Sequence, residues 1–96
     1  MKIEFTKDAS ALAVAIDGRL DTNTAPELEA FLAENAIDMK EIVIDCAKLV
    51  YVSSAGLRVL LGAHKKLRGA MRLKNVSELV MEVLEMTGFT DILVIE

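Results

Sequence analysis

The apolar residues of this chain change their spacing from run to run, and that alternation restricts the fold more than any other feature. In ALAVAID, Leu12, Val14 and Ile16 alternate with alanines, a period of two that predicts a strand. In APELEAFL, Leu28, Phe31 and Leu32 lie three to four apart, as on one face of a helix. EIVIDC is a continuous apolar run over Ile42, Val43 and Ile44, which predicts a central strand buried on both faces. AGLRVLLGAHKKLRG returns to helical spacing, with Gly56, Leu60, Ala63 and Leu67 on one face and Val59 alongside. MRLKN predicts a short strand, and VSELVMEVLEMTGF a third helix with Leu79, Val80, Val83 and Leu84 on its core face. DILVIE predicts a last apolar strand. Residues 2–6 are short and extended, and a polar turn at Lys7-Asp8 joins them to residues 11–17 as an antiparallel hairpin. The order β-β-α-β-α-β-α-β predicts one α/β domain: a mostly parallel sheet with an N-terminal antiparallel hairpin, packed by three main helices.

Punctuation residues fit these boundaries. Thr24 with Glu27 has the spacing of a capping box, Pro26 falls in the first turn, and Asn35 ends the first helix. Gly69 stops the second helix, Ser77 caps the third, and Gly88 closes it. In such sheets the loops leaving the carboxyl ends of strands carry the binding surface. Two stretches qualify, residues 18–24 and 48–55, and they are also the least periodic in the chain.

Composition bounds the environment. The chain has 96 residues, enough for one core, and only 4 % are aromatic against 53 % hydrophobic, so the core is expected to be aliphatic. The longest uncharged stretch is residues 49–57, far short of the roughly 20 apolar residues of a spanning helix. MKIEFTKD has charges throughout and no apolar h-region, unlike a signal peptide. The single Cys46, in an apolar run, reads as a reduced structural thiol, and a cytoplasmic protein is expected. The net charge of −4, with no aromatics among the basic residues His64, Lys65, Lys66 and Arg68, argues against nucleic acid as a partner. Those cations suit the carboxyl end of a helix.

The inventory for catalysis is thin. One His and one Cys cannot build a zinc site of the usual kind, and there is neither a GxxxxGK loop nor a GxGxxG turn. A triad of Ser54, His64 and Asp45 fails because Ser54 and His64 would stand about 15 Å apart along one helix. His64 is better placed at the edge of the helix's buried face. Asp21 and Asp45 could form a carboxylate pair, and solvated acids at loop mouths are as common. No catalytic residue, cofactor or metal is expected.

A different constellation is present. On a helical wheel Ser54, Arg58, Leu61 and Lys65 share the face opposite Leu60 and Leu67, with Gly62 beside them. Glycine in an exposed helix interior costs up to about 1 kcal/mol relative to alanine, which suits either close approach by another surface or simple tolerance. Ser54, where a loop turns into the helix, can be an ordinary N-cap, or a hydroxyl whose phosphate the helix end would hold. Spacing leaves both open.

Two motifs carry a resemblance. GRLDTNTAPELEAFL resembles the signature that opens the first helix of STAS domains, and IDCAKLVYVSSAGLRVLLGAHKKL resembles the second, in which a loop D-S-[SAT]-G-[LIV] enters a helix. The match runs from the first strand to the last. The resemblance implies an anti-sigma factor antagonist, which binds an anti-sigma factor serine kinase and so frees a sigma factor. It implies phosphorylation of Ser54 by that kinase and reversal by a PP2C-type phosphatase. At Ser53 the chain departs from the family's usual Asp, which makes Ser53 a secondary candidate acceptor. The partner-binding residues expected from these motifs and the helical wheel together are Asp21, Thr22 and Asn23 in the first loop and Ser53 and Ser54 in the second. Arg58, Leu61, Gly62 and Lys65 on the helix complete the set. The resemblance also admits a constitutive STAS subunit of a transporter or signalling assembly, and a small nucleotide-binding protein.

Overall fold

The alternation in residues 11–17 becomes a strand with two unlike faces in the computed structural model, which describes all 96 residues. Strand β1 (Lys2–Asp8) pairs antiparallel with β2 (Ala11–Leu20), setting Ile3 opposite Ile16 and Phe5 opposite Val14. The chain continues through α1 (Ala25–Asn35), β3 (Glu41–Val52), α2 (Ser54–Lys66), β4 (Met71–Lys74), α3 (Glu78–Met86) and β5 (Val94–Ile95). The sheet order is β1-β2-β3-β4-β5, parallel from β2 onward. This is the α/β architecture the sequence predicts.

Because strand order equals chain order, all three crossovers step the same way across the sheet. Right-handed connections then place α1, α2 and α3 on one face. Exposure follows: Leu12, Val14 and Ile16 of β2, Ile42 and Ile44 of β3, and Met71 and Leu73 of β4 are buried, while Ala13, Ala15 and Glu41 are exposed. The expectation that β3 is buried on both faces is therefore corrected. Its Val43 and Asp45 are only half-buried, on a face no helix covers. There Arg72 pairs with Glu41 and, at 3.0 Å from Nε, with Glu96.

β3 also runs further than EIVIDC. Opposite β2 it takes three steps for two between Ala15 and Asp17, and two for one between Gly18 and Arg19. These bulges turn Cys46, Leu49 and Val52 inward at a spacing of three. The predicted loop over residues 48–55 thus shrinks to Ser53, between β3 and α2. The loop over residues 18–24 likewise shrinks, because β2 extends to Leu20.

Twenty buried residues form the core, and none is aromatic. Phe5 and Phe31 meet at its margin, edge to face with ring centroids 4.9 Å apart. Cys46 belongs to the core, and burial, with the nearby Asp45 charge, pushes its thiol up to about 12. It is an inert packing group.

Three smaller expectations are corrected. No capping box forms at α1: Thr24 precedes the helix in αR conformation and its side chain makes no cap bond. The segment DILVIE divides into a 3-10 turn (Phe89–Asp91) and the two-residue β5, with Leu93 buried between them. On α3 the core takes Val80 and Leu84, whereas Leu79 is 62 % exposed. Ser77 does cap α3, accepting from the Val80 amide at 3.2 Å, and Gly88 follows its end at φ 79°.

The difference between Leu84 and Leu79 is measurable. Leu84→Ala should cost about 3 kcal/mol of unfolding free energy, and Leu79→Ala should stay within about 0.5 kcal/mol of the parent. Urea titration of both variants checks this, and equal losses would show that Leu79 packs in the core.

Candidate functional site

The polar surface gathers where β2 and β3 end. Leu20 and Val52 are register partners, so the turn after β2 and the single residue after β3 emerge side by side. The Ser53 amide donates to the Leu20 carbonyl at 2.9 Å and ties the two exits together. Above them α2 begins, and its approach depends on Gly56. A Cβ at that position would lie 2.7 Å from Leu20 Cγ, 2.8 Å from the Leu20 carbonyl oxygen and 3.0 Å from Val52 Cγ2. Two of these atoms belong to fully packed side chains and one to backbone, so no larger residue fits there.

Ser53 and Ser54 divide the labour differently from the N-cap reading of Ser54. Ser53 is the N-cap, extended at φ −98° and ψ 176°, and its Oγ accepts from the Gly56 amide at 3.4 Å. Ser54 is the first residue of α2, exposed, with no capping duty. The amides of Ser54 and Ala55 lie in the first turn, where no intrahelical acceptor exists. No acid occupies that turn, so the positive end of the helix dipole is uncompensated there.

The neighbouring turn is held by Asp21. Its Oδ1 accepts from the Asn23 amide at 3.0 Å and from the Thr24 amide at 3.2 Å. Thr24 closes the ring: its hydroxyl accepts from the Asp21 amide at 2.8 Å and donates to the Arg19 carbonyl at 2.7 Å. Burial alone would raise the Asp21 carboxyl. The Asn23 and Thr24 amides, the Thr24 hydroxyl and the Arg19 guanidinium outweigh it and hold the group below its ordinary 3.8. The carboxylate thus faces its own turn, and Thr22 and Asn23 are the exposed residues beside it.

Along α2, Ser54, Arg58 and Lys65 are exposed in one line, with Leu61 half-buried among them. Gly62 borders the line, half-buried, and a Cβ there would meet nothing within 4 Å. Gly62 also lines a cavity of about 640 Å³ between α1 and α2, with Leu32, Ala33, Val59 and Leu67. That cavity belongs to the far half of α2, away from Ser54. The predicted residues therefore form a polar junction at the helix start and a stripe leading from it.

Asp45 stands apart. It pairs with Ala15, roughly 20 Å back along β2 from Asp21, so the possible carboxylate pair does not form. Its Oδ1 accepts from the Ala47 amide at 3.0 Å and from Asn75 Nδ2 at 3.1 Å. The Ala47 amide, then Asn75, and more weakly Lys74 hold the carboxyl below 3.8 against some burial. His64 lies a whole helix away from Ser54, half-buried at the edge of the packed face, with Nδ1 unpartnered.

Sequence reasoning missed Arg19 and Tyr51. The guanidinium carbon of Arg19 lies 4.2 Å from the Tyr51 ring centroid, while its Nε is 3.6 Å from Asp21 Oδ2. This stack braces the turn against β3. The two residues are register partners only because of the bulges, which leave no periodic signal in the sequence.

A short α/β domain with one exposed hydroxyl at a helix start, flanked by a rigid acidic turn and a basic-apolar helix stripe, has the form of a protein-binding module. The STAS domain profile matches residues 2–96, and the chain belongs to that family. It is 38 % identical over 97 residues to BtrV of Bordetella bronchiseptica, assigned as an anti-sigma factor antagonist, covering 96 % of this chain and 83 % of that protein. It is 28 % identical over 96 residues to the anti-sigma-B factor antagonist of Bacillus subtilis, covering 97 % and 88 %. The fold is also that of the anti-sigma factor antagonist SpoIIAA of Bacillus in its unphosphorylated form, with a TM-score of 0.74 at 15 % identity, covering 99 % of this chain and 87 % of that one.

Two measurements follow from this geometry. Gly56→Ala should destabilise by about 3 kcal/mol through the Leu20 carbonyl clash, whereas Gly62→Ala should stabilise by about 0.5–1 kcal/mol. Paired urea titrations check the contrast, and a neutral Gly56→Ala would defeat the close-approach argument. Acid should weaken the fold in a defined window. A carboxyl lowered on folding adds stability that is complete above its ordinary value near 3.8 and lost as pH falls through the lower folded value. The urea midpoint should therefore drop between pH 5 and pH 3, which is about one unit either side of that value. Asp45→Asn should shrink the drop; an unchanged drop would mean that Asp45 contributes none of it.

Proposed function

We propose that this chain is an anti-sigma factor antagonist that binds an anti-sigma factor through the start of α2 and the Asp21–Asn23 turn, and that phosphorylation of Ser54 switches the binding off. The observation that carries this reading is the state of Ser54: an exposed hydroxyl at the first position of α2, relieved of capping by Ser53. A phosphate there would be met by the free amides of the first turn and by the dipole, with Arg58 one turn along. It would bring about −1.5 to −2 charges into the middle of the contact surface. In the free protein water and the helix end solvate that charge. In the complex it must be desolvated, so modification weakens binding with little change of shape.

The enzymes implied are the anti-sigma factor itself, acting as serine kinase, and a PP2C-type phosphatase. Ser53 is the poorer acceptor, because its hydroxyl is half-buried and engaged with the Gly56 amide. The names of the relatives support the regulatory class, and no helix of the structure is long and apolar enough to cross a membrane.

Ser54→Ala should fold within about 0.5 kcal/mol of the parent, since the cap belongs to Ser53, while Ser53→Ala should cost about 1 kcal/mol. With the cognate kinase and ATP, mass spectrometry should find phosphate on Ser54. Calorimetry should then show affinity for the anti-sigma factor reduced by at least about tenfold, equivalent to about 1.4 kcal/mol. Ser54→Ala should bind at full affinity throughout. Phosphate on Ser53 alone, or undiminished binding after modification of Ser54, would overturn the proposal; no modification at all would favour a constitutive subunit.

A further inference from the structure

Helix α3 is apolar over a wider arc than the core uses. Val80 and Leu84 are buried, but Leu79 is 62 % and Met86 81 % exposed, with Val83 half-buried between them. At 100° per residue, positions 79, 83 and 86 are the i, i+4, i+7 members of one stripe along the helix. Glu78, Glu82 and Glu85 form a row along the side of that stripe away from the core, and all three are exposed. No Lys or Arg lies anywhere in α3. Around the helix the order is therefore core, apolar stripe, acidic row.

We propose that the Leu79–Val83–Met86 stripe and its acidic row form a second docking surface, whose occupant is a basic amphipathic helix of another protein. The apolar stripe supplies a groove-and-ridge contact, and the acids require a row of Lys or Arg beside the partner's own apolar stripe. Charge works against a two-fold pair of copies and against an anionic lipid surface. A second copy packed antiparallel about a two-fold axis would place both acidic rows on the same side of the contact. Packed parallel, it would leave six acids without counter-charges in a dimer of chains that each carry −4. An anionic lipid surface is repelled by the same row. The surface is on a different helix from Ser54 and stands or falls independently of the function proposed above.

The test uses the whole chain and two synthetic peptides of one amphipathic helical pattern, one of Leu and Lys and the other of Leu and Glu. In a two-dimensional amide NMR titration at low salt, the Leu/Lys peptide should shift resonances of α3 and the turn after it, and the Leu/Glu peptide should shift none. Leu79→Ser with Met86→Ser should weaken the Leu/Lys peptide by about tenfold or more, the scale of two lost apolar contacts. Glu82→Lys with Glu85→Lys should weaken it as well, and does so without touching an apolar residue. Absence of binding, shifts centred elsewhere, or unchanged affinity in both double variants would overturn the proposal. So would a dimer in sedimentation equilibrium that the Leu79/Met86 variant abolishes, or binding to phosphatidylglycerol vesicles through α3.

Discussion

The contact of Gly56 with Leu20 governs how the rest of this structure can be arranged. Helix α2 begins directly above the ends of β2 and β3, with only Ser53 as a connector. That descent is possible because position 56 carries no side chain, in a space 2.7–3.0 Å from Leu20 and Val52. Everything polar at the junction follows from it. The Ser53 amide reaches the Leu20 carbonyl while its hydroxyl accepts from the Gly56 amide, so that hydroxyl is engaged and half-buried and that of Ser54 is left outside. The Asp21 turn then has a fixed neighbour instead of an open rim. A glycine chosen for packing thus decides which of two adjacent serines is available for chemistry.

Most of the architecture was legible because period and order carry it. The alternation in β2, the helical spacing in α1 and α2 and the glycines after α2 and α3 each depend on local chemistry, and local chemistry is what a sequence displays. The sequence was silent where a tertiary event overrides the local pattern. The bulges in β3 change its inward spacing from two to three, so residues 48–52 read as part of a loop although they are strand. Ser53 and Ser54 have equal capping propensity, and only the register of α2 on Leu20 separates them. Thr24 had the right spacing for a capping box, but its hydroxyl is claimed by the Arg19 carbonyl and the Asp21 amide. Leu79 had the periodicity of a core residue, and the one-sided packing of a nine-residue helix leaves it out. The site was legible as a motif; its bracing by Arg19 and Tyr51 was not, since it depends on register alone.

The uneven sheet has a bearing on the junction. Helices cover one face, and the other carries small or charged residues such as Ala13, Ala15, Glu41 and Arg72, consistent with a surface that tolerates water. The helix side therefore concentrates the hydrophobic core, and there α3 offers Leu79 and Met86 to solvent. Acid-rich α3 and base-ended α2 differ in charge, so the same side of the domain can present unlike surfaces to unlike partners.

Strand β3 outruns its neighbour β4, which pairs with it only from Ile42 to Asp45. Past that point β2 is its only strand partner, while Cys46, Leu49 and Val52 anchor the extension in the core from the helix side. At the root of this extension Asn75 Nδ2 donates to Asp45 Oδ1 at 3.1 Å. A residue just past the end of β4 thus ties that short strand to the longer one that carries the junction.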